Sequence, residues 1–486
     1  MVIRKDLSKL SHAERVALNH ELYNKLEKAE EKIAKFEDFV ARLEKRIEDL
    51  EGRLALNSRN SSKPPSSDFT RQPASPRSKG AKKQGGQQGH KGAGLLRVAE
   101  DQLAHIVEHQ PPASCEGCGR KLPTPTSCDL QGRQVVDLPA LAFEVVEHRV
   151  LSSTCSCGQV HLGKFPSGVN VPIQYGSRVK AAAVLLNSDP MVPMARTADI
   201  LRTISGLSLC AASVQALVAE AGILASPIVE SIAEWCSRSK RAGADETGGK
   251  VAGVLHWVHV FATKNLTHIA PHEKRGMEAF ASIGILERFE GVLTHEGWKP
   301  YRALACEHSL CNAHHARELA FVHEELGQEW AGAVRDLLME ACSKSNEARG
   351  HGQPLARKVR QELREAYDDL LTIGREENPL ESVSGKRGRT KPSKASNLIG
   401  RLVDFADEVW GFAKDPSVPF TNNEAERVMR MIKVKQKVSG GFRTQEGLKA
   451  FCTLRSFFDT MRKQGRVGFE SLLDLFEGRE LPPLLA

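Results

Sequence analysis

The 486-residue chain predicts a multidomain α+β protein. Three features point there. A ten-position apolar seam near the start reads as one long helix. Two runs rich in β-branched and aromatic residues, Val251–Phe261 and Phe289–Glu296, read as strands. Charged helix-forming stretches separate these runs from a further helical pattern after Phe420. A chain of this length implies about three or four domains. Hydrophobic residues make up 41% of it, enough for sizeable cores.

The first element occupies residues 1–56. Ser11-His12-Ala13-Glu14 has the form of a capping box. Leu22, Leu26, Ala29, Ile33, Phe36, Val40, Leu43, Ile47, Leu50 and Leu54 follow in alternating steps of four and three. Lys, Arg and Glu surround this narrow stripe. The pattern predicts a coiled coil about 50 Å long, serving as an oligomerisation arm.

Residues 57–98 change character. Between Ser58 and Gly92 stand Arg59, Lys63, Arg71, Arg77, Lys79, Lys82, Lys83 and Lys91, against one acid, Asp68. They carry nearly all of the chain's net charge of +8. The tract holds too little apolar surface to order itself and reads as a flexible basic linker. The same charge also suits contact with phosphates, without sequence readout.

Residues 99–165 read as a zinc-binding module. Cys115-Glu116-Gly117-Cys118 and Cys155-Ser156-Cys157 are two close thiol pairs, each followed by glycine (Gly119, Gly158). Four thiolates suit a closed, structural Zn²⁺ site. Val135–Leu138 and Phe143–Glu147 between them read as strands, and Cys128 is a spare thiol. Eleven cysteines, an odd count, with no secretory pattern after Arg4, Lys5 and Asp6, favour reduced thiols. No run of 18 apolar residues exists, which predicts no spanning helix and no membrane partner. A cytoplasmic location is the default.

In residues 166–236, Ala195–Ile204, Ser205–Ser208 and Ala211–Ala221 read as helix, turn and helix. The arrangement is helix-turn-helix-like, although the second helix is not notably basic and an ordinary helical hairpin is the plainer reading.

Residues 237–322 begin with Ala244-Asp245-Glu246-Thr247, read as a polar turn that delivers a carboxylate ahead of the strand Val251–Phe261. Phe289–Glu296 ends on a second carboxylate. Cys311-Asn312-Ala313-His314 opens an amphipathic helix, with Cys306 five residues earlier. Cys and His at this spacing read either as zinc ligands or, preferably, as a packed thiol and a hydrogen-bonded imidazole. Residues 323–400 form helices and end in the basic loop Ser384–Pro392, which suits a minor groove or simply a solvated face. In residues 401–465, Glu426 and Arg430 stand at i, i+4, with Arg427, Lys433, Lys435 and Lys437 nearby. Residues 466–486 are a C-terminal tail. Acids on separate elements suit a divalent-metal site assembled by folding. By spacing alone, simply solvated acids are the plainer reading.

Taken together, these stretches resemble the insertion-sequence sixty-six family of bacterial transposases over essentially the whole chain. The resemblance rests on Asn57–Asp68 after the zipper-like arm, the Cys pairs and Ala244–Thr247. It rests further on Cys311–Glu318 and on Thr421-Asn422-Asn423-Glu424-Ala425-Glu426-Arg427. Cys311-x-x-His314 is also similar to a signature of several transposase families. The resemblance implies a ribonuclease-H-like α/β catalytic core with a helical insertion before its last acid. It implies Asp245, Glu296 and Glu426 as catalytic ligands of Mg²⁺ (or Mn²⁺), with Cys311 and His314 structural beside them. Glu426 is preferred to Glu424 because it directly precedes arginine. Arg427, Arg430, Lys433, Lys435 and Lys437 would hold DNA phosphates. Implied partners are double-stranded DNA (terminal inverted repeats and target), a second copy through the coiled coil, and accessory proteins from the same element. The implied location is the bacterial nucleoid.

One residue departs from the family pattern. Glu296 stands where Asp is usual before Gly297-Trp298-Lys299-Pro300-Tyr301. The extra methylene moves the carboxylate by on the order of 1 Å, which matters to a metal as demanding as Mg²⁺. Two functions are therefore carried forward. One is a DNA transposase performing metal-dependent phosphodiester cleavage and strand transfer at element ends. The alternative is a catalytically weakened or inactive transposase-derived DNA-binding protein. A scaffold with no nucleic-acid partner is the third reading.

Overall fold

The computed structural model describes residues 11–56, 60, 97–107, 109, 111–122, 133–137, 142–379 and 392–485. Most of the expected basic linker, Cys128 and the basic loop up to Lys391 lie outside the described residues. In chain order the elements begin with α1 (His12–Leu54), β1 (Ser152–Thr154), β2 (Val160–Leu162), α2 (Ser177–Ser188), α3 (Met194–Ser205) and α4 (Ala211–Ser237). Then come β3 (Arg241–Val251), β4 (Val254–Ala262), β5 (Thr267–His272), α5 (Met277–Ile283), β6 (Val292–His295) and β7 (Glu307–Leu310). The helices α6 (Asn312–Leu326), α7 (Glu329–Gly350), α8 (Arg357–Glu377) and α9 (Lys394–Asp404) follow, with the single turns α10 (Ala406–Val409) and α11 (Gly411–Lys414). The chain closes with α12 (Asn423–Ser439), α13 (Gln445–Lys463) and α14 (Gly468–Glu477). Two compact units result, one from residues 1–69, 171–198 and 210–486, the other from 70–170 and 199–209.

In the larger unit α1 begins at the expected capping box. Ser11 Oγ accepts the Glu14 N–H at 3.4 Å, and the Ser11 N–H donates to the Glu14 carboxylate at 2.8 Å. The helix runs 43 residues, about 65 Å at the usual rise. Its apolar seam is uncovered, with Ile33 56% and Phe36 68% exposed. Only at its end do Ala55 and Leu56 pack, against the cluster built by α6 to α11 around Trp330, Tyr367, Trp410 and Phe412.

A five-stranded sheet in the order β5-β4-β3-β6-β7 organises the rest. β3, β4 and β5 are antiparallel neighbours, while β3, β6 and β7 run parallel. Ala244–Thr247 is thus strand rather than the expected polar turn. The reason is that Gly243 to Val251 pairs along the whole of β4. The reversal comes later, at Ala252 (φ 48°) and Gly253 (φ 87°), two positive-φ residues that match a tight hairpin. Val258, Val260 and Ile269 on one face of the sheet pack against Ala425, Met429 and Ile432 of α12 and Phe451 of α13. Phe261 of β4 meets Phe289, just before β6, edge to face.

Helices form on both sides of the expected turn, at α3 and α4. α4 extends to Ser237 and packs on α13, α2, α14 and β5. Gly222 lets it approach Ala450, where an added Cβ would meet the alanine Cβ at 3.1 Å. By length and composition α4 is long and apolar enough to cross a membrane. It carries no unbroken apolar run of 18 residues, as expected from the sequence, and it packs against other helices as a core helix does.

In the smaller unit the strands expected at Val135–Leu138 and Phe143–Glu147 do not form among the described residues. Val135 and Val145 stay exposed and find no ladder partner. The strands there are β1 and β2, a short antiparallel pair flanking Cys155 and Cys157.

Candidate active site

Three carboxylates from distant parts of the chain meet at the α12 side of the sheet. Asp245 lies opposite Val260 in the β3–β4 ladder. Opposed residues share a face, and Val260 packs with Ala425 of α12, so Asp245 points toward that helix. Gly243 pairs with Thr294 in the parallel β3–β6 ladder. Two residues further along each strand, Glu296 comes beside Asp245. There the chain turns away at Gly297 (φ 87°), whose N–H donates to His295 Nδ1 at 2.9 Å.

Glu426 arrives from the first turn of α12. Asn422, the N-cap residue, does not cap the helix with its side chain. Its Nδ2 donates instead to the Ala244 carbonyl at 2.9 Å, pinning α12 next to Asp245. The approach is so close that a Cβ on Gly243 would lie 2.1 Å from Asn422 Oδ1. α6 is tied to the same place, since the Cys311 N–H donates to the His295 carbonyl at 2.9 Å and the Asn312 N–H to Phe420 at 3.0 Å.

His314, one turn into α6, bridges the acids. Its Nε2 is 2.9 Å from Glu296 Oε1 and its Nδ1 is 3.9 Å from Glu426 Oε1. Cys311 Sγ lies 3.5 Å from the same Glu426 oxygen. Glu426 therefore turns toward Cys311 and His314 rather than forming the i, i+4 pair with Arg430. Cys306 is buried elsewhere and joins no cluster with them among the described residues.

Electrostatics follow from this crowding. Burial, then Glu296, Glu246 and Glu426, push the Asp245 carboxyl well above its usual range. Burial would also raise Glu296, but His314, Arg317 and Arg275 outweigh it and hold that carboxyl low. For His314 burial opposes the charged form, yet Cys311 and Glu296 push its pKa up to about 10. One imidazolium thus supplies positive charge among three acids.

A family model described as the IS66 family of transposases matches residues 172–450, more than half of the chain. The chain belongs to the IS66 transposase family. A second model, of a family of unknown function, matches residues 4–95. No curated protein matches the chain. Asp245, Glu296, Cys311, His314 and Glu426 all fall in the region shared with the IS66 transposases.

Sequence reasoning missed the support behind Asp245 in this IS66 transposase. The next residue, Glu246, has a side chain only 3% exposed. It accepts from Tyr301 and from Arg275 Nε at 2.9 Å. Arg275 lies between the Trp257 and Trp298 rings, 4.8 and 4.1 Å from their centroids. Tyr301 in turn stacks on Phe280 and His295. The signal was present in the Gly297–Tyr301 motif, whose aromatic ends have no role until Glu246 and Arg275 are brought to them.

The basic residues of α12 divide by position. Glu426, Arg430, Lys433 and Lys437, at i, i+4, i+7 and i+11, form one stripe along the helix. Arg427, Arg430 and Lys437 are exposed, while Lys435 is half-buried on another side. Lys433 donates to the Gly248 carbonyl at 3.0 Å. Burial lowers the pKa of both Lys433 and Lys435.

Each expected zinc knuckle closes on itself. The Gly119 N–H donates to Cys115 O and the Gly158 N–H to Cys155 O, both at 2.8 Å, with both glycines at positive φ. Among the described residues the two pairs do not gather into one four-sulfur cluster. The sole Cys, His and acid grouping of three or more described residues is Cys311, His314 and Glu426.

Proposed function

We propose that this IS66-family chain is a metal-dependent DNA transposase that cuts and joins phosphodiesters at the ends of an insertion sequence. The observation carrying this reading is the convergence of Asp245, Glu296 and Glu426, from β3, the end of β6 and α12, around one imidazole. The β5-β4-β3-β6-β7 order supports a ribonuclease-H-like core. The helices α7 to α9 before α12 are its insertion.

The donor set fits hard divalent cations. Asp245 is raised by burial and by its acidic neighbours, which is a deficit of positive charge that Mg²⁺ or Mn²⁺ would supply. Asp245, Glu296 and Glu426 would hold the ions. When bound, such ions lower the pKa of the attacking water and neutralise the leaving oxygen. The chain does the rest. Asn422 and Gly243 fix the approach of α12 to β3, so that Glu426 keeps its distance from Asp245. Arg275, lying between two tryptophan rings, and Tyr301 hold Glu246, the strand residue next to Asp245. Arg427, Arg430 and Lys437 offer phosphate contacts leading away from the acids, with Lys433 and Lys435 nearer the sheet.

The uncovered seam of α1 supports pairing with a second copy as a coiled coil, which would bring two DNA ends together. The Cys115/Cys118 and Cys155/Cys157 knuckles each offer two thiolates to a structural Zn²⁺, and closing it on all four would require the two pairs, separate among the described residues, to come together. Family membership adds terminal inverted repeats, target DNA and accessory proteins of the element as partners.

The 2.9 Å contact between His314 Nε2 and Glu296 favours a second reading. With glutamate in place of aspartate, that carboxylate is engaged by the imidazole, and the chain would bind DNA without cutting it. Strand cleavage of terminal-repeat DNA in Mg²⁺ separates the two. Cleavage by the wild-type chain supports the transposase. Binding without cleavage, with cleavage gained on Glu296→Asp, supports the retired site.

A further inference from the structure

We propose that Cys311 Sγ, His314 Nδ1 and Glu426 Oε1 form a second metal site, selective for a thiophilic divalent cation of the zinc class, which takes Glu426 away from the carboxylate site. Its consequence rests on the reading of Glu426 given above. Its geometry does not.

The three donor atoms lie within 4.8 Å of one another. Sulfur to carboxylate is 3.5 Å and imidazole nitrogen to carboxylate 3.9 Å. A tetrahedral zinc with bonds of about 2.0–2.3 Å needs donors roughly 3.3–3.6 Å apart. Small side-chain adjustments therefore close the site, with a fourth position left for water.

Each donor is prepared for a cation. The His314 side chain is only 10% exposed, and its Nδ1 is buried with no hydrogen-bond partner. Its other nitrogen is held by Glu296. That is the carboxylate–imidazole–metal arrangement in which an outer acid orients the ligand. Cys311 is the N-cap of α6 and accepts the N–H of Asn422, the N-cap of α12, at 3.1 Å. A thiolate, an imidazole and one carboxylate select zinc-class ions, whereas Mg²⁺ prefers all-oxygen ligands. The cation replaces the thiol proton and the proton on Nδ1, both of which pass to solvent, and no electron moves.

The test is Co²⁺ and Zn²⁺ binding by the full chain, read by equilibrium dialysis and by the sulfur-to-cobalt charge-transfer band. Wild type should bind one equivalent more than Cys311→Ser or His314→Gln, and the band should lose intensity in Cys311→Ser. Cys115→Ser should keep that equivalent, which separates it from the knuckle site. Circular dichroism melting checks that each variant folds, and His314→Gln decides the matter if Cys311→Ser does not. Equal stoichiometry and equal bands in wild type and the folded variants would overturn the proposal. Because the readout is binding, a chain that takes up this equivalent but never cuts DNA, even in Mg²⁺ after zinc-class ions have been removed, sinks the transposase reading alone. A chain that cuts DNA but lacks the equivalent sinks this one alone.

Discussion

Gly243→Ala tests how the last acid is positioned. The added Cβ would lie 2.1 Å from Asn422 Oδ1 and 3.3 Å from its Cγ, where ordinary contact begins at 3.4 Å. The Asn422 amide is 2% exposed and tied to the Ala244 carbonyl, so it cannot simply swing into solvent. Either that hydrogen bond breaks or α12 retreats by about 1 Å. Overpacking costs about 1–3 kcal/mol and orphaning the buried bond about 1–3 kcal/mol, so the change costs about 1–3 kcal/mol by either route and about 2–6 kcal/mol if both occur. A shift of that size in Glu426 should lower cleavage by roughly 10²-fold. Chemical denaturation measures the first quantity and Mg²⁺-dependent cleavage the second. A double-variant cycle isolates the cause. Asn422→Ala removes the obstructing amide, so the double variant should be no less stable than Asn422→Ala alone. If the two changes add, or if Gly243→Ala matches wild type, the close approach is not what sets the site.

Two other outcomes follow from the same structure. Because the Asp245 carboxyl is raised in the folded chain, folding favours its protonated form. That contribution is fully present below the unfolded value of about 3.9 and is lost as pH rises through the folded one. In EDTA at neutral pH, Asp245→Asn should therefore melt higher than wild type, with the difference shrinking toward pH ~4. A melting temperature unchanged or lower at neutral pH would contradict the crowding argument. Ile33→Lys with Phe36→Lys should shift the chain toward monomer in light scattering, since both side chains lie on the exposed seam that pairing would cover. An unchanged mass would show that α1 does not pair the copies.

How much could be read from residues alone varied with the range of the interactions. The capping box at Ser11 and the seam of α1 are local, and both were legible. The β-branched run of β4 was legible for the same reason. Asp245 was legible as an acid but not as a mid-strand residue, because the polar stretch Ala244–Thr247 reads locally as a turn. Only the pairing with β4, and the approach of Lys433 and Gln436 to the Gly248 carbonyl, keep that segment extended. β5 and β7 carry histidines and a proline that mask their pattern, and neighbouring strands recruit them. The burial of Glu246 depends on Arg275 and Tyr301, 29 and 55 residues away, and no local rule pairs them. The same distance hid the meeting of Cys311 with Glu426, 115 residues apart. The strands expected at Val135 and Phe143 failed for the opposite reason. Their composition was suitable, but no partner edge lies beside them among the described residues.

The central claim is that Asp245, Glu296 and Glu426 act on DNA as one metal-binding unit. Its most direct test is strand cleavage of the element's own terminal-repeat DNA with and without Mg²⁺, comparing wild type, Asp245→Asn and Glu426→Gln. The account predicts cleavage by wild type only when Mg²⁺ is present, and none by either folded variant that still binds the DNA. Cleavage that survives both substitutions, or that needs no divalent cation, would contradict it.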